Sequence, residues 1–236
     1  MVKLGNLLFH YRNGLFPLAY AFIFAKGELL FSDYRLAALV GLVVALLGQA
    51  LRVATIGLAY IVRGGRNRQV YADDLVTDGL FAHCRNPLYV GNYLILVGVG
   101  IASCSAIFVF VVLPLLAVAY WAIIAAEENF LRNKFGATFD AYTKRVSRLF
   151  FNPVGLGKTL QGMTFHWPRV VVKEYGSAFY WTLGFIFVVL QNIWIADRAE
   201  LPFASPLAVT LWSAMGLVVV LFVIARFLKK REIIRG

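Results

Sequence analysis

Long runs of apolar residues, separated by short polar stretches, dominate this chain of 236 residues. A helix that crosses a bilayer needs about 20 mostly apolar residues, and this pattern predicts about six such helices. The predicted spans are residues 15–31, 35–62, 88–102, 106–126, 178–196 and 206–227. Short joints between neighbouring runs favour antiparallel hairpins. The predicted fold class is therefore an all-α, polytopic integral membrane protein.

Composition excludes the common soluble classes. The chain is 61% hydrophobic and 15% charged, whereas soluble domains have about 45–50% apolar and about 25% charged residues. The two cysteines, Cys84 and Cys104, are too few for a disulfide framework. A soluble globule, a disordered chain and a disulfide-stapled secreted domain are thus excluded.

The positive charge indicates the topology. The chain has 23 Lys and Arg against 12 Asp and Glu. With the N-terminus in the cytoplasm, all but four of these cations fall on the cytoplasmic side, the exceptions being Lys26, Arg35, Arg52 and Arg198. This bias predicts that both termini are cytoplasmic. We interpret the positive charge as a determinant of topology and as a contact for anionic membrane lipids. We expect no nucleic acid as partner, because the charge is spread over the membrane face without a nucleic-acid-binding motif.

A polar turn before the third predicted span is the first candidate for chemistry. Pro87 suits the first turn of a helix, and the residue before a proline is biased to an extended conformation. Arg85 and Asn86 then lie at a helix entrance, whose free N–H groups attract anions. Small residues follow on one side of this helix and allow close approach of either another helix or a ligand. These residues are Gly91, Gly98 and Gly100.

Two adjacent acids end the fourth predicted span. Glu127 and Glu128 repel each other at a membrane boundary, and a cationic partner would offset that repulsion. The hairpin returns this end to the side where the third span begins, so we expect both acids to meet the 85–91 turn. The alternative is a solvated helix end in which the acids pair with Arg132.

These two elements together resemble the isoprenylcysteine carboxyl methyltransferases and the related membrane phospholipid methyltransferases. The resemblance covers roughly residues 36–151 and includes a Leu51-Arg52 pair in the second span. Asn86 stands where many members have His, and an amide cannot carry a proton. The other matching positions are Gly79, Arg85, Pro87, Tyr89, Gly91, Glu127, Glu128, Leu131, Phe135, Gly136, Tyr142 and Arg148.

The resemblance implies S-adenosylmethionine as the methyl donor. We predict no metal site, because His10 and His166 have no partner at metal-ligand spacing. Glu127 and Glu128 would hold its ammonium group and ribose hydroxyls, and the 85–89 turn would receive its carboxylate and adenosine. The implied catalytic residues are Arg52, Arg85, Asn86 and Arg148. The implied cofactor-binding residues are His83, Arg85, Asn86, Pro87, Leu88, Tyr89, Gly91, Gly98, Gly100, Glu127, Glu128 and Tyr142.

Arg52 is the deepest charge in the predicted bundle. It lies about 15 Å from the predicted end of its helix at 1.5 Å per residue, and a charge at such depth is a candidate functional group. We predict that Arg52 faces the site and contacts a carboxylate of the donor or of the acceptor. The alternative is an Arg satisfied by backbone carbonyls.

The predicted function is methyl transfer to a lipophilic acceptor: an isoprenylcysteine-like carboxylate, a phospholipid amine or a small thiol. Alternatives are an NADPH-dependent sterol-type reductase, or a non-enzymatic transporter or assembly protein. The predicted organisation is an N-terminal span (1–35), a methyltransferase-like core (36–152), and a connector with two accessory spans (153–236). The bacterial inner membrane is the expected location, or the endoplasmic reticulum membrane in a eukaryote.

Overall fold

The computed structural model describes residues 1–25, 29–59, 70–197 and 205–234, and in these ranges the chain is helical with no strand. Short 3-10 turns occupy Phe22–Phe24 and Gly79–Ala82, and a π-helical stretch, Phe108–Val112, runs directly into the fourth α helix. The α helices are α1 (Val2–Ala21), α2 (Tyr34–Leu58), α3 (Pro87–Ser103), α4 (Leu113–Phe135), α5 (Ala137–Arg145), α6 (Leu156–Gln161), α7 (Trp167–Asp197) and α8 (Pro206–Lys230).

Four helical stretches are long and apolar enough to cross a membrane: Tyr34–Leu58, Phe108–Phe135, Trp167–Ala196 and Pro206–Lys230. Helix α3 is apolar but shorter, and α1 does not meet the same criteria. The all-helical class is therefore confirmed for the described residues, which contain four candidate membrane-spanning helices where the sequence predicts about six spans.

The predicted first span, residues 15–31, was misplaced. The helix instead covers Val2–Ala21. This helix carries Lys3 and Arg12, which lower the mean hydropathy of its first part, but Gly5 and Phe9 are buried there. Gly5 lies directly against the backbone of Ala122 in α4, and this packing stabilises residues that are too polar to be recognised as a span.

Other boundaries also shift. Helix α7 begins at Trp167, well before the predicted residue 178, and α4 continues beyond Ala126 to Phe135. Both extensions contain polar residues that interrupt the apolar pattern, but Glu174 and Glu128 are buried there. Glu174 pairs with Arg52 of α2, and Glu128 pairs with Arg85 and Arg148, which lie outside the helices. The predicted end of the second span at residue 62, together with Lys26 and Arg198, lies outside the described residues.

Local sequence signals start and stop several helices. The Asp33 carboxylate caps α2 by accepting from two backbone N–H groups of the first turn, both at 3.0 Å. The Ser205 hydroxyl caps α8 in the same way, and Pro87 opens α3 as predicted. Gly136, at φ 51°, separates α4 from α5, since a left-handed residue favours glycine.

Glycines set the close packing of α2 against α3. Gly41 meets Gly98, and Gly48 meets Gly91, so the two helices run antiparallel with their backbones in contact. A Cβ atom at Gly48 would lie 2.6 Å from the carbonyl oxygen of Gly91. Gly91 and Gly98 therefore serve helix packing, the first of the two alternatives that the sequence left open.

This contact leads to a stability prediction. We expect Gly48→Ala to lower the free energy of unfolding by about 1–3 kcal/mol, because the added methyl group overpacks a backbone contact. Gly14→Ala in α1 is the matched control, since a Cβ there meets nothing within 4 Å. Thermal unfolding in detergent measures both, and equal midpoints for the two variants would contradict the packing argument.

Candidate active site

The start of α3 is fastened to the segment that follows α5. The Asn86 side chain donates from Nδ2 to the carbonyl oxygen of Arg148 at 3.1 Å. The Arg85 backbone N–H donates to the carbonyl oxygen of Ser147 at 2.9 Å. This segment, residues 146–152, thereby forms one wall beside the predicted helix entrance.

Glu128 joins two arginines at this entrance. Its Oε1 accepts from Nε of Arg85 at 3.0 Å, and its Oε2 lies 2.5 Å from Nη2 of Arg148. Arg85 Nη1 also donates to the carbonyl oxygens of Val146 at 2.6 Å and Thr143 at 3.1 Å. Both oxygens of Glu128 are thus engaged by protein cations, so this acid organises the entrance.

Glu127 has a different environment from its neighbour. The Tyr89 hydroxyl donates to Glu127 Oε1 at 2.8 Å. The Tyr89 ring meets the edge of Tyr120 at 5.4 Å between centroids, and Tyr120 stacks on Phe16 at 5.0 Å. The expectation that the twin acids meet the 85–91 turn is therefore confirmed, with Glu128 on Arg85 and Glu127 on Tyr89.

Arg52 belongs to a buried polar cluster. The residue is 1% exposed, and its guanidinium binds the carboxylate of Glu174 in α7 with Nε–Oε2 at 2.9 Å and Nη2–Oε1 at 2.6 Å. Its Nη1 donates to Oδ1 of Asn92 in α3. Gln49 donates to the same carboxylate at 3.1 Å and accepts from Trp181 Nε1 at 2.8 Å. The carboxylate that Arg52 contacts in this structure belongs to Glu174 of the protein itself.

A cavity of about 1050 Å³ connects the two clusters. Residues 12–17 of α1, residues 72–76, α3, α4 and α7 contribute to its wall. Predicted site residues in the wall are Arg52, Arg85, Asn86, Leu88, Tyr89, Glu127, Glu128 and Tyr142. Most of the predicted cofactor-contacting side chains therefore line one cavity.

Other predicted site residues lie behind this wall. Pro87, Gly91, Gly98, Gly100 and Arg148 do not line the cavity. Gly100 packs against the Phe108 ring, and Arg148 lies over the Trp121 ring at 4.7 Å while it holds Glu128.

His83 also lies away from the cavity. Its Nδ1 lies 2.7 Å from the carbonyl oxygen of Asn152, and its Nε2 lies 2.9 Å from the Thr159 hydroxyl. The ring stacks on Phe151 at 5.6 Å between centroids. His83 thus fastens the segment after α5 to the turn before α3.

Two titratable groups beside the α3 entrance are held in their neutral forms. Burial raises the pKa of the Tyr142 hydroxyl, and this group donates to the carbonyl oxygen of Phe81 at 2.7 Å. Burial also raises the pKa of the Cys84 thiol. Neither group is a ready nucleophile or base, and the two belong to the supporting wall.

Sequence reasoning missed several residues of the cavity and its polar cluster. Glu174 sits in a mixed polar stretch that has no motif, and Asn92 and Tyr120 lie within apolar runs. The one available signal was the buried position of Arg52, because a charge at that depth requires a counter-charge. Glu174 is the acid that meets this need.

Comparison with known proteins places the site in a family. Residues 36–138 match the family model described as phospholipid methyltransferase. The chain is 32% identical over 155 residues to the cobalt-zinc-cadmium resistance protein CzcN of Cupriavidus metallidurans, an alignment covering 62% of this chain and 67% of that protein.

A second relative matches over a shorter region. The nickel-cobalt-cadmium resistance protein NccN of Alcaligenes xylosoxydans xylosoxydans is 35% identical over 77 residues, covering 33% of this chain and 36% of that protein. The chain thus spans about a third of the length of this relative. No solved structure matches the chain.

Proposed function

This chain belongs to the phospholipid methyltransferase family, and we propose that it transfers a methyl group from S-adenosylmethionine to an amine-bearing membrane lipid at the cytoplasmic face. The observation that carries the proposal is the cavity of about 1050 Å³, in whose wall the Glu127–Tyr89 pair lies beside apolar and aromatic residues. Family membership implies a methyltransferase; the donor and the acceptor are our proposal.

The cavity suits the proposed donor in size and chemistry. Pockets for molecules of this class measure about 300–1,000 Å³ and combine apolar walls with a few polar groups. Bound S-adenosylmethionine supplies an electrophilic methyl group on a positively charged sulfur. A carboxylate and aromatic ring faces are the protein groups that attract such a cation.

Each wall residue has a proposed task. Glu127 would accept from the ammonium group or a ribose hydroxyl, and Tyr89 fixes the orientation of its carboxylate through the 2.8 Å hydrogen bond. The Tyr120 ring would lie against the cation. Glu128 would keep the segment 146–152 in place at the entrance through its ion pairs with Arg85 and Arg148. The chain would accelerate transfer mainly by alignment of two reactants, which can supply about 7–11 kcal/mol.

Neutralising Glu127 tests the donor site. We expect Glu127→Gln to weaken S-adenosylmethionine binding about 10- to 100-fold, because a hydrogen bond to a charged group is worth about 1.5–3 kcal/mol. Isothermal titration of the detergent-solubilised protein measures the dissociation constant. Asp140→Asn is the matched control, since Asp140 pairs with Arg132 at a half-exposed surface and does not line the cavity.

The same titration separates the rival activities. If the parent protein bound NADPH and not S-adenosylmethionine, the reductase alternative would replace methyl transfer; if it bound neither, the transporter or assembly role would stand. With donor binding established, membranes incubated with radiolabelled donor identify the acceptor. Label in phospholipid supports the proposal, whereas label in a protein carboxyl ester or a volatile thioether would reassign the acceptor.

The relatives suggest a physiological setting. Their names assign CzcN and NccN to resistance against cobalt, zinc, nickel and cadmium, and we propose that this chain serves the same kind of resistance through its methylated product. The Glu127→Gln variant offers a second readout. In a strain that lacks the gene, the parent chain should restore metal tolerance. Asp140→Asn should restore it as well, whereas Glu127→Gln should not. Equal tolerance with all three chains would contradict the link to metal resistance.

A further inference from the structure

The side-chain amide of Asn92 has one end engaged and the other open to the cavity. Its Oδ1 accepts from Nη1 of Arg52. Because a guanidinium only donates, the atom that faces Arg52 must be the oxygen. The amide nitrogen, Nδ2, donates to no other group among the residues that the structure describes, and the half-buried side chain lines the cavity.

The cluster behind Asn92 fixes this orientation. Arg52 is held at two nitrogens by Glu174, at 2.9 and 2.6 Å, so its remaining nitrogen, Nη1, keeps one direction. Gln49 bridges Glu174 and Trp181 and prevents the carboxylate from turning. An amide flip of Asn92 would bring two donors face to face in a buried site, which is costly. The N–H groups of Asn92 therefore point steadily into the cavity.

Asn92 also has a defined place along the cavity. It follows Tyr89 by three residues and so shares its side of α3, about 7.5 Å along the helix from Pro87. Tyr89 leads to Glu127, the proposed donor end. On the other side the wall includes Tyr180 of α7, which is 67% exposed, so the cavity reaches the flank of the bundle there. Asn92 therefore shares one cavity wall with both the proposed donor end and this exposed flank.

We propose that Asn92 binds the methyl acceptor: its Nδ2 donates a hydrogen bond to a headgroup oxygen of the lipid, and Arg52 and Glu174 are positioning residues that act through it. The inference rests on the proposed function. A group that only donates selects an oxygen, and a charged phosphate oxygen makes the stronger hydrogen bond. Asn92 thus favours a phosphate-bearing amine lipid over an uncharged acceptor.

Asn92→Asp tests the assignment. The aspartate keeps an oxygen for Arg52 and puts a charged oxygen in place of the N–H group that faces the cavity. We expect KM for dioleoyl phosphatidylethanolamine, presented in dioleoyl phosphatidylcholine vesicles, to rise at least about tenfold. The kcat and the dissociation constant of S-adenosylmethionine should stay within about twofold. Without donor, the rise in thermal midpoint that dihexanoyl phosphatidylethanolamine gives the parent should be lost.

Two further variants sharpen the result. Asn133→Asp makes the same chemical change at an exposed asparagine of α4 that does not line the cavity and should leave KM within about twofold of the parent. Asn92→Leu removes the amide without adding a charge and should raise KM as Asn92→Asp does, which keeps the test valid if the aspartate variant does not fold.

The outcomes separate the two proposals. If the parent methylates the lipid but Asn92→Asp and Asn92→Leu keep its KM, Asn92 has only a structural role and this inference is overturned alone. If the donor dissociation constant rises instead of KM, the N–H belongs to the donor site and the assignment is equally wrong. A parent that neither binds the donor nor methylates the lipid overturns the proposed function and this inference together.

Discussion

Replacing Glu174 with alanine is expected to lower the free energy of unfolding by about 3–5 kcal/mol, the cost of leaving a buried charge without its partner. Arg52 is 1% exposed and has two of its nitrogens on this carboxylate. Two side chains, Glu174 and Asn92, are described above as hydrogen-bonded to the Arg52 guanidinium. Of these, Glu174→Ala would leave Asn92. Unfolding of the purified protein, followed by circular dichroism as denaturant replaces mild detergent, measures the loss.

Two comparisons control for this result. Asp140→Ala removes an acid from the half-exposed pair with Arg132, and such pairs contribute about 0–1 kcal/mol. The double variant Arg52→Met with Glu174→Leu removes both buried charges and should recover much of the lost stability. A Glu174→Ala variant as stable as Asp140→Ala would show that the buried pair does not stabilise the fold.

The Arg52–Glu174 pair joins α7 to the part of the chain that matches the family model. Glu174 lies in α7, outside the residues 36–138 that match the family model. Its partners Arg52 and Asn92 lie inside that region, in α2 and α3. Helix α7 is thus bound to the shared core by a charge pair as well as by apolar packing, and it completes the wall of the cavity with Val172, Lys173 and Ser177.

The second large effect is expected at Glu128, where Glu128→Gln should lower methyl transfer about 100-fold. The neutral amide cannot balance Arg85 and Arg148, which approach its two oxygens at 3.0 and 2.5 Å. Truncating one partner of a buried charged pair costs about 2–5 kcal/mol, and 1.4 kcal/mol corresponds to tenfold. The segment 146–152 would then lose its anchor at the α3 entrance. Initial rates with radiolabelled donor measure the effect.

The two adjacent acids should give different signatures. Glu127→Gln is expected to act mainly on the donor dissociation constant, because Glu127 faces the cavity beside Tyr89. Glu128→Gln is expected to act mainly on kcat and on thermal stability, since Glu128 holds the entrance together. Asp140→Asn again serves as the control. Identical changes in binding and rate for the two variants would contradict this division of roles.

Part of the site was predictable because it depends on neighbours in sequence. Pro87 marks the start of α3, and the hairpin between α3 and α4 returns the twin acids to that start. Their meeting with the 85–89 turn follows from this topology. The topology does not predict which acid meets Arg85 and which meets Tyr89. Successive residues of a helix point about 100° apart, and the rotation of α4 against α3 is set by packing along the whole helix.

The first helix and the glycines show where such reasoning failed. A hydropathy criterion scores each window by itself, so it placed the first span over residues 15–31 and missed the contact of Gly5 with α4. It also left two uses open for Gly91 and Gly98. The close approach of Gly41 and Gly48 on α2 decides between them, and that approach depends on which sides of the two helices face each other.

The sequence by itself determined that this protein is a bundle of apolar helices and that one helix starts at Pro87. It also determined that the charged residues near this start resemble those of a methyltransferase family. These properties follow from side-chain hydropathy and local backbone preferences, which act over a few residues. Only the tertiary structure decided that Arg52 meets Glu174 across 122 positions and that Asn92 turns its N–H into the cavity. A buried arginine can pair with any carboxylate that reaches it with good hydrogen-bond geometry. The packing of the helices determines which carboxylate does so.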